Sequence, residues 1–213
     1  MRPHVTAVLV QWKRQRHLSK IIDSLIKYPF IDEILIRDNS KCKNIKCYAR
    51  YTLAKKAKNN LIYTQDDDCV VNGIDKLYEE YLRHPDIITT GGIQSYLDVV
   101  KDNIFKDNIY GDCQMALLGW GAFFQKKWIG ILDEYVKVCG KDKCFYREPD
   151  RIFSMLLGRR HKIVLADIEL LKDPDLTTAL CEQPEHITFK FLSIGRALEV
   201  WKQMPEKTRL KYQ

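Results

Sequence analysis

The densest chemistry in this chain is Asp66-Asp67-Asp68, three consecutive carboxylates inside the stretch NNLIYTQDDDCV (residues 59–70). Residues 61–65, LIYTQ, are short and rich in apolar, β-branched and aromatic side chains, which predicts a buried strand running straight into the acids. Adjacent acids at the end of a buried strand repel one another and cost stability unless something positive neutralises them. Residues two apart in an extended chain share a face, so the spacing predicts Asp66 and Asp68 side by side with Asp67 pointing elsewhere. Two hard oxygen donors on one face suit Mn²⁺ or Mg²⁺, ions that keep free positions for substrate phosphates. A solvated acidic turn is the alternative reading of the same three residues.

The rest of the composition bounds what such a site would serve. The chain has 213 residues, 46% of them hydrophobic, and a formal net charge of +7. That is one large domain with a real core, and a charge that favours anionic partners: nucleotide sugars, nucleic acid or acidic lipid surfaces. No apolar run approaches the roughly 20 residues of a membrane span. The N-terminal MRPHVTAVLVQWKR reads as a first strand and lacks a cleavage-site pattern, so the expectation is a cytoplasmic protein. The seven cysteines are an odd number. Cys42 and Cys47, and Cys139 and Cys144, are evenly spaced pairs without the His/Cys partners of a zinc site, which predicts free thiols.

Several elements must position the acids. Val5 to Val10 is a continuous apolar run and predicts a buried strand, followed by the polar loop Gln11–Arg16. His17 to Tyr28 carries an apolar stripe at helical spacing and is stopped by Pro29. Glu33 to Arg37 predicts a second strand, ending in Asp38-Asn39-Ser40. A helix around Cys47–Lys58 leads into the strand before the acids. This alternation predicts a parallel, right-handed, doubly wound arrangement, whose ligands bind at the carboxyl ends of the strands. Three polar loops would meet there: 11–16, 38–40 and 66–68. Further on, the pattern predicts a helix over Gly73–His84, a strand over Ile87–Thr90 broken by Gly91-Gly92, and a short hairpin within Tyr96–Tyr110. A strand over Ala122–Phe124, a helix over Lys126–Val138, a helix opening at Pro149, a strand over Lys162–Ala166 and a terminal helix over Phe189–Gln203 complete the chain.

With these residues in place, the sequence resembles the GT-A class of nucleotide-sugar glycosyltransferases. Ala49-Arg50 through Ala57 to Asp66 keeps the spacing of the "ARN…G…A…G…D" run of many such enzymes, with Tyr51 and Leu53 in place of the usual Asn and Gly. LIYTQDDD looks like the strand and aspartate motif that holds their metal. GWGAFFQKKWI (residues 119–129) is similar to the Gly-rich "GAAFFHR" segment of exostosin-like transferases, and REPDRIFSMLL (residues 147–157) to their "CEDIAMNFL" helix start. The matches fall in family order. The chain also resembles catalytic domains encoded by large DNA viruses of algae, which would place it in the host cytoplasm.

The resemblance implies a GT-A (Rossmann-like) α/β fold, a mostly parallel twisted sheet of about six strands flanked by helices. It implies a single domain with a nucleotide-binding half over 1–72 and a sugar and acceptor half over 73–213. The implied activity is metal-dependent transfer from a UDP-sugar, UDP-glucose-like donor to a glycan or glycoprotein acceptor, with retention of configuration. Asp66 and Asp68 would hold the metal, with Asp67 on donor hydroxyls or behind them, and His186, or else His161, as a third ligand. Gln11, Trp12 and Arg14 would cradle the base, with Trp12 against uracil or simply packed. Asp38 or Asn39 would meet base or ribose, or form an Asx-turn. Arg50 would face base or diphosphate, or solvent, while Arg159 and Arg160 would screen the diphosphate. Gly121, with Gly119, Gly91 and Gly92, would let backbone approach the sugar or merely turn the chain. Glu148 and Asp150 would act near the reacting centre or cap a helix N-terminus. Glycosylation of modified DNA bases is a variant that the charge allows. A sugar nucleotidyltransferase is a further alternative, disfavoured because residues 11–16 hold no glycine for a phosphate loop. A non-catalytic nucleotide-binding module is the last.

Overall fold

A computed structural model describes residues 2–93, 116, 118–158, 161–172 and 183–212. The hairpin expected within 96–110, and Arg159 and Arg160, lie outside the described residues. Three parallel strands open the chain: β1 (Val5–Gln11), β2 (Ile31–Asp38) and β3 (Leu61–Gln65). Helices α1 (Gln15–Leu25) and α2 (Tyr48–Ala54) connect them. β1 lies between the other two, with Gln11 level with Asp38 and Leu9 level with Gln65. The carboxyl ends of all three strands therefore open at one edge, as the alternating pattern predicts.

The sheet has six strands among the described residues, in the order β2-β1-β3-β6-β5-β7. β5 (Ile88–Gly92) and β7 (His161–Leu165) are parallel neighbours, while β6 (Ala122–Gln125) runs antiparallel between β3 and β5. Because β6 is reversed, its first residue sits at the carboxyl end of β3, with Ala122 opposite Thr64. The segment preceding β6 is thereby delivered to the acidic turn. Gly91 and Gly92 are inside β5, paired with Val164 and Leu165, and do not break it.

Alternation along the strands splits the core in two. Ala7, Leu9, Tyr63 and Phe123 face one side, packed with residues of α1 and of α3 (Ile74–Arg83). Val8, Ile62 and Phe124 face the other. There they meet α2, α4 (Ile131–Cys139), α6 (Pro149–Leu157) and α7 (His186–Gln203). The short α5 (Lys143–Arg147) leads into α6. Two four-residue strands, β4 (Cys69–Asn72) and β8 (Asp167–Leu170), pair antiparallel as a separate ribbon and were not foreseen.

Other boundaries differ for local reasons. Residues 126–130 form a 3₁₀ turn rather than the start of a helix, and α4 begins at Ile131. At the junction a Cβ on Gly130 would lie 2.7 Å from Tyr212 Oη, so the chain passes close against α8 (Glu206–Tyr212). That last helix also means that α7 is not the terminal one. The described cysteines, Cys42, Cys47, Cys69, Cys139 and Cys144, are all free thiols. Among the described residues no helix is long and apolar enough to cross a membrane.

Candidate active site

At the carboxyl ends of β1 and β3 lies a cavity of about 390 Å³. Its described walls include Trp12, Arg14, Asn39, Arg50, Asp66, Asp67, Asp68, Glu148, Asp150 and His186. Of the described residues singled out in the sequence, Gln11, Asp38, Gly91, Gly92, Gly121 and His161 are not on its walls, His161 standing at the start of β7 level with Ile88. Gln11 is buried beneath the cavity, and with its amide oriented to suit its neighbours it donates to Asp38 and accepts from the Lys13 and Arg14 amides. Asp38 accepts from the Ser40 amide at 2.8 Å, which is an Asx-turn. The Ser40 hydroxyl helps hold its carboxyl below the usual range. Gly121 has φ +85° and leaves room for Tyr63 and Val71.

The three acids form a turn, so strand alternation does not apply to them. Asp67 points at the loop after β1: its Oδ2 accepts from the Trp12 amide at 2.8 Å and its Oδ1 from Arg14 Nη1 at 2.8 Å. The same Nη1 reaches Asp68 Oδ2 at 3.1 Å. His17 fixes the turn from below. Its Nε2 accepts from Arg16, so Nδ1 carries the proton and donates to the Asp67 carbonyl at 3.0 Å. Asp66 turns away to Arg50, whose Nη2 donates to its Oδ1.

Arg50 is 3% exposed and reaches across the cavity floor, its Nη1 3.4 Å from Asp150 Oδ2. Its Nε and Nη1 find no hydrogen-bond acceptor. Asp150, in the first turn of α6, does not cap that helix. Its Oδ1 accepts from Tyr51 Oη at 2.8 Å, and Glu148, at the N-cap position, makes no side-chain cap either. Glu148 Oε2 accepts from Arg151 Nε at 3.3 Å, while His186 Nδ1 stands 3.5 Å from its Oε1. His186 is thus beside Glu148. Among the described residues no three His, Cys, Asp or Glu side chains are grouped to hold a metal by themselves.

Electrostatics follow from this packing. Burial pushes the Asp68 carboxyl up to about 6, and the nearby charge of Asp66 adds to the rise. Burial also raises Asp67, against the pull of the Trp12 amide and Arg14. Asp150 is raised by burial, with Arg50 opposing. Asp66 and Asp68 are hard oxygen donors lining the same cavity, each already beside one guanidinium, Arg50 and Arg14 respectively. That donor set fits a divalent ion completed by phosphate and water oxygens.

The sequence marks Gly119 for close backbone approach to a sugar or for a turn; the structure sets it against Asp66. Its carbonyl accepts from the Asp66 amide at 2.9 Å, and a Cβ there would lie 2.1 Å from Asp66 Oδ2. The GWG stretch marked a Gly-rich loop, but only the reversed β6 shows what the glycine accommodates.

No protein-family model matches this chain, and no curated protein matches it in sequence. Solved structures do. The mannosyltransferase PcManGT from Pyrobaculum calidifontis, in complex with GDP-Man and Mn²⁺, superposes with a TM-score of 0.61 at 13% identity. Residues 1–349 of S. aureus TarS, in complex with UDP-GlcNAc, give 0.60 at 10% identity. The fold is the GT-A fold. Glucosyl-3-phosphoglycerate synthase from Mycobacterium tuberculosis, in complex with Mn²⁺, UDP and glucosyl-3-phosphoglycerate, gives 0.52 at 11% identity. These matches cover 92%, 97% and 91% of this chain. In the other direction the chain spans 65% of PcManGT, 69% of the TarS fragment and 80% of the synthase. At such identities the likeness is one of fold.

Proposed function

We propose that this chain is a metal-dependent glycosyltransferase that takes a sugar from a UDP-sugar and passes it to a glycan or glycoprotein acceptor. The observation that carries this is the charge balance of the cavity. Arg14, Lys46, Arg50, Arg147 and Arg151 face Asp66, Asp67, Asp68, Glu148 and Asp150, so the described walls are formally neutral. Neutral walls do not compensate a buried diphosphate, whereas the same walls with a divalent cation do.

Asp66 and Asp68 would hold that Mn²⁺ or Mg²⁺. When bound, it neutralises charge developing on the leaving diphosphate. Trp12, half-exposed at the cavity edge, offers its face to the base, and Asn39 lies beside the ribose position. Arg50 lies between the diphosphate side and Asp150. Asp150 then orients the transferred sugar or the acceptor hydroxyl, with Glu148 and His186 on the acceptor side. Nucleotide recognition would belong to residues 1–72 and sugar and acceptor recognition to 73–213. The sugar nucleotides bound by PcManGT and TarS support a sugar-nucleotide donor. Retention of configuration rests on the exostosin-like motifs.

A thermal-shift series with UDP, GDP and CMP, with and without Mn²⁺, tests the reading, because a ligand selective for the folded state raises the melting temperature. UDP with Mn²⁺ should give the largest shift. An equal response to GDP, or a UDP response undiminished by EDTA, would overturn it. The anomeric configuration of the product, read by NMR, decides retention against inversion.

A further inference from the structure

We propose that Tyr51 is a positioning residue for Asp150, holding one carboxylate oxygen so that the other faces the cavity. The inference rests on the reading of Asp150 given above. Consecutive residues of α2 meet the two oxygens of Asp150: Tyr51 Oη donates to Oδ1 at 2.8 Å, while Arg50 Nη1 stands 3.4 Å from Oδ2 as an ion pair without a hydrogen bond. The two partners differ in kind. Arg50 also binds Asp66, and it lines the cavity. Tyr51 does not line the cavity. It is fully buried, its ring packed 5.1 Å from that of Phe153 and 6.4 Å from that of Phe124.

Tyr51 is therefore the anchor that Asp150 has outside the cavity, and Arg50 the partner it shares with Asp66. Burial keeps the Tyr51 phenol protonated, so toward Asp150 it acts as a donor. A donor to an ionised carboxylate favours the ionised form. The other groups acting on Asp150 are Arg50 on α2, Asp66 on the acidic turn, Glu148 just before α6, and the thiol of Cys47. Arg50 alone among these is positive, so the phenol is the one neutral donor offsetting burial. The tyrosine at position 51 is long enough to reach α6 from α2.

Tyr51→Phe keeps the packed ring and deletes the donor. Two measurements are made on the full chain. The first is a ¹³C NMR titration of the Asp150 carboxyl, which needs no substrate. The second is UDP release across a panel of UDP-sugars with Mn²⁺, read as kcat, KM and pH profile. The expected result is a higher Asp150 pKa in Tyr51→Phe and an acid limb of kcat displaced to higher pH. In addition kcat should fall about tenfold, with donor KM and the UDP-induced melting shift unchanged. Asp150→Asn should be slower still, and the double variant no slower than Asp150→Asn alone, as for two residues acting as one unit.

An unchanged Asp150 titration and a wild-type pH profile in Tyr51→Phe, with Asp150→Asn inactive, would overturn Tyr51 and spare Asp150. Normal turnover by Asp150→Asn would overturn both. Should Tyr51→Phe not fold, a fluorinated tyrosine at position 51 supplies a more acidic, stronger donor. The acid limb should then move to lower pH, and its failure to move would sink the proposal.

Discussion

A Cβ atom on Gly119 would lie 2.1 Å from Asp66 Oδ2 and 2.7 Å from its Cγ, so the Asp66 carboxylate rests directly on the backbone before β6. Two segments far apart in sequence thus fix one another. The turn after β3 supplies the carboxylate, and the reversed strand supplies a surface without a side chain.

Gly119→Ala should accordingly damage the site more than the fold. The clashing atoms are the end of a rotatable side chain, which can swing away. Stability should fall by no more than ~1 kcal/mol, within the usual range for a single substitution. The displaced Asp66 should lose its place beside Asp68, and the melting shift with Mn²⁺ and UDP should largely disappear. A variant that responds normally to both would show that Asp66 need not sit where it does.

Gly91→Ala gives the contrasting case. There the added Cβ would meet the Trp120 carbonyl oxygen at 2.4 Å, and backbone cannot rotate out of the way. The Gly91 amide also donates to the Gly121 carbonyl at 2.7 Å, tying β5 to the same loop. A cost of about 1–3 kcal/mol, typical of overpacking, is expected in denaturant unfolding. Gly119→Ala proving the more destabilising of the two would refute this account of both glycines.

These glycines mark where the sequence stops being legible. Leu61–Gln65 was read residue for residue because a strand buried on both faces shows as a continuous apolar run. Clustering of Trp12, Asn39, Asp66 and Asp68 followed from strand ends opening at one edge, whereas Asp150, in the first turn of α6, was placed there only by the resemblance. The ribbon of β4 and β8 was missed because four-residue strands carry no period, and because three of the four β8 residues are exposed. The partners of Gly119, Gly91 and Tyr51 were missed in another way. Each of these residues owes its role to a partner brought by tertiary folding, namely Asp66, the Trp120 carbonyl and Asp150. Alternation wrongly separated Asp67 from Asp68, since the chain leaves the strand at Asp66 and one guanidinium gathers both.

Asp68→Asn tests the cost of that crowding. Burial and the charge of Asp66 both disfavour an ionised Asp68, while Arg14 retains Asp67 as a partner. At neutral pH the apo melting temperature should hold or rise, and the response to Mn²⁺ with UDP should vanish. An apo protein destabilised by this change would make Asp68 a structural partner of Arg14 first.

Arg14→Met removes the guanidinium that Asp67 and Asp68 share. The Arg14 and Asp67 side chains are 9% and 11% exposed, so the pair is buried. Breaking a buried pair from one side costs about 3–5 kcal/mol, because the remaining charge is left uncompensated. Two consequences separate this from ordinary loss of packing. Adding Asp67→Asn to Arg14→Met should restore part of the stability, since the orphaned charge is then gone. A divalent ion should also raise the melting temperature of Arg14→Met by more than that of the wild type, because it supplies positive charge at the carboxylates that lost it. Titrating both proteins with Mn²⁺ in the absence of nucleotide measures this directly. Equal Mn²⁺ responses in the two proteins would show that Arg14 and the ion do not share the same carboxylates, and no response in either would mean that the acidic turn binds no metal without nucleotide.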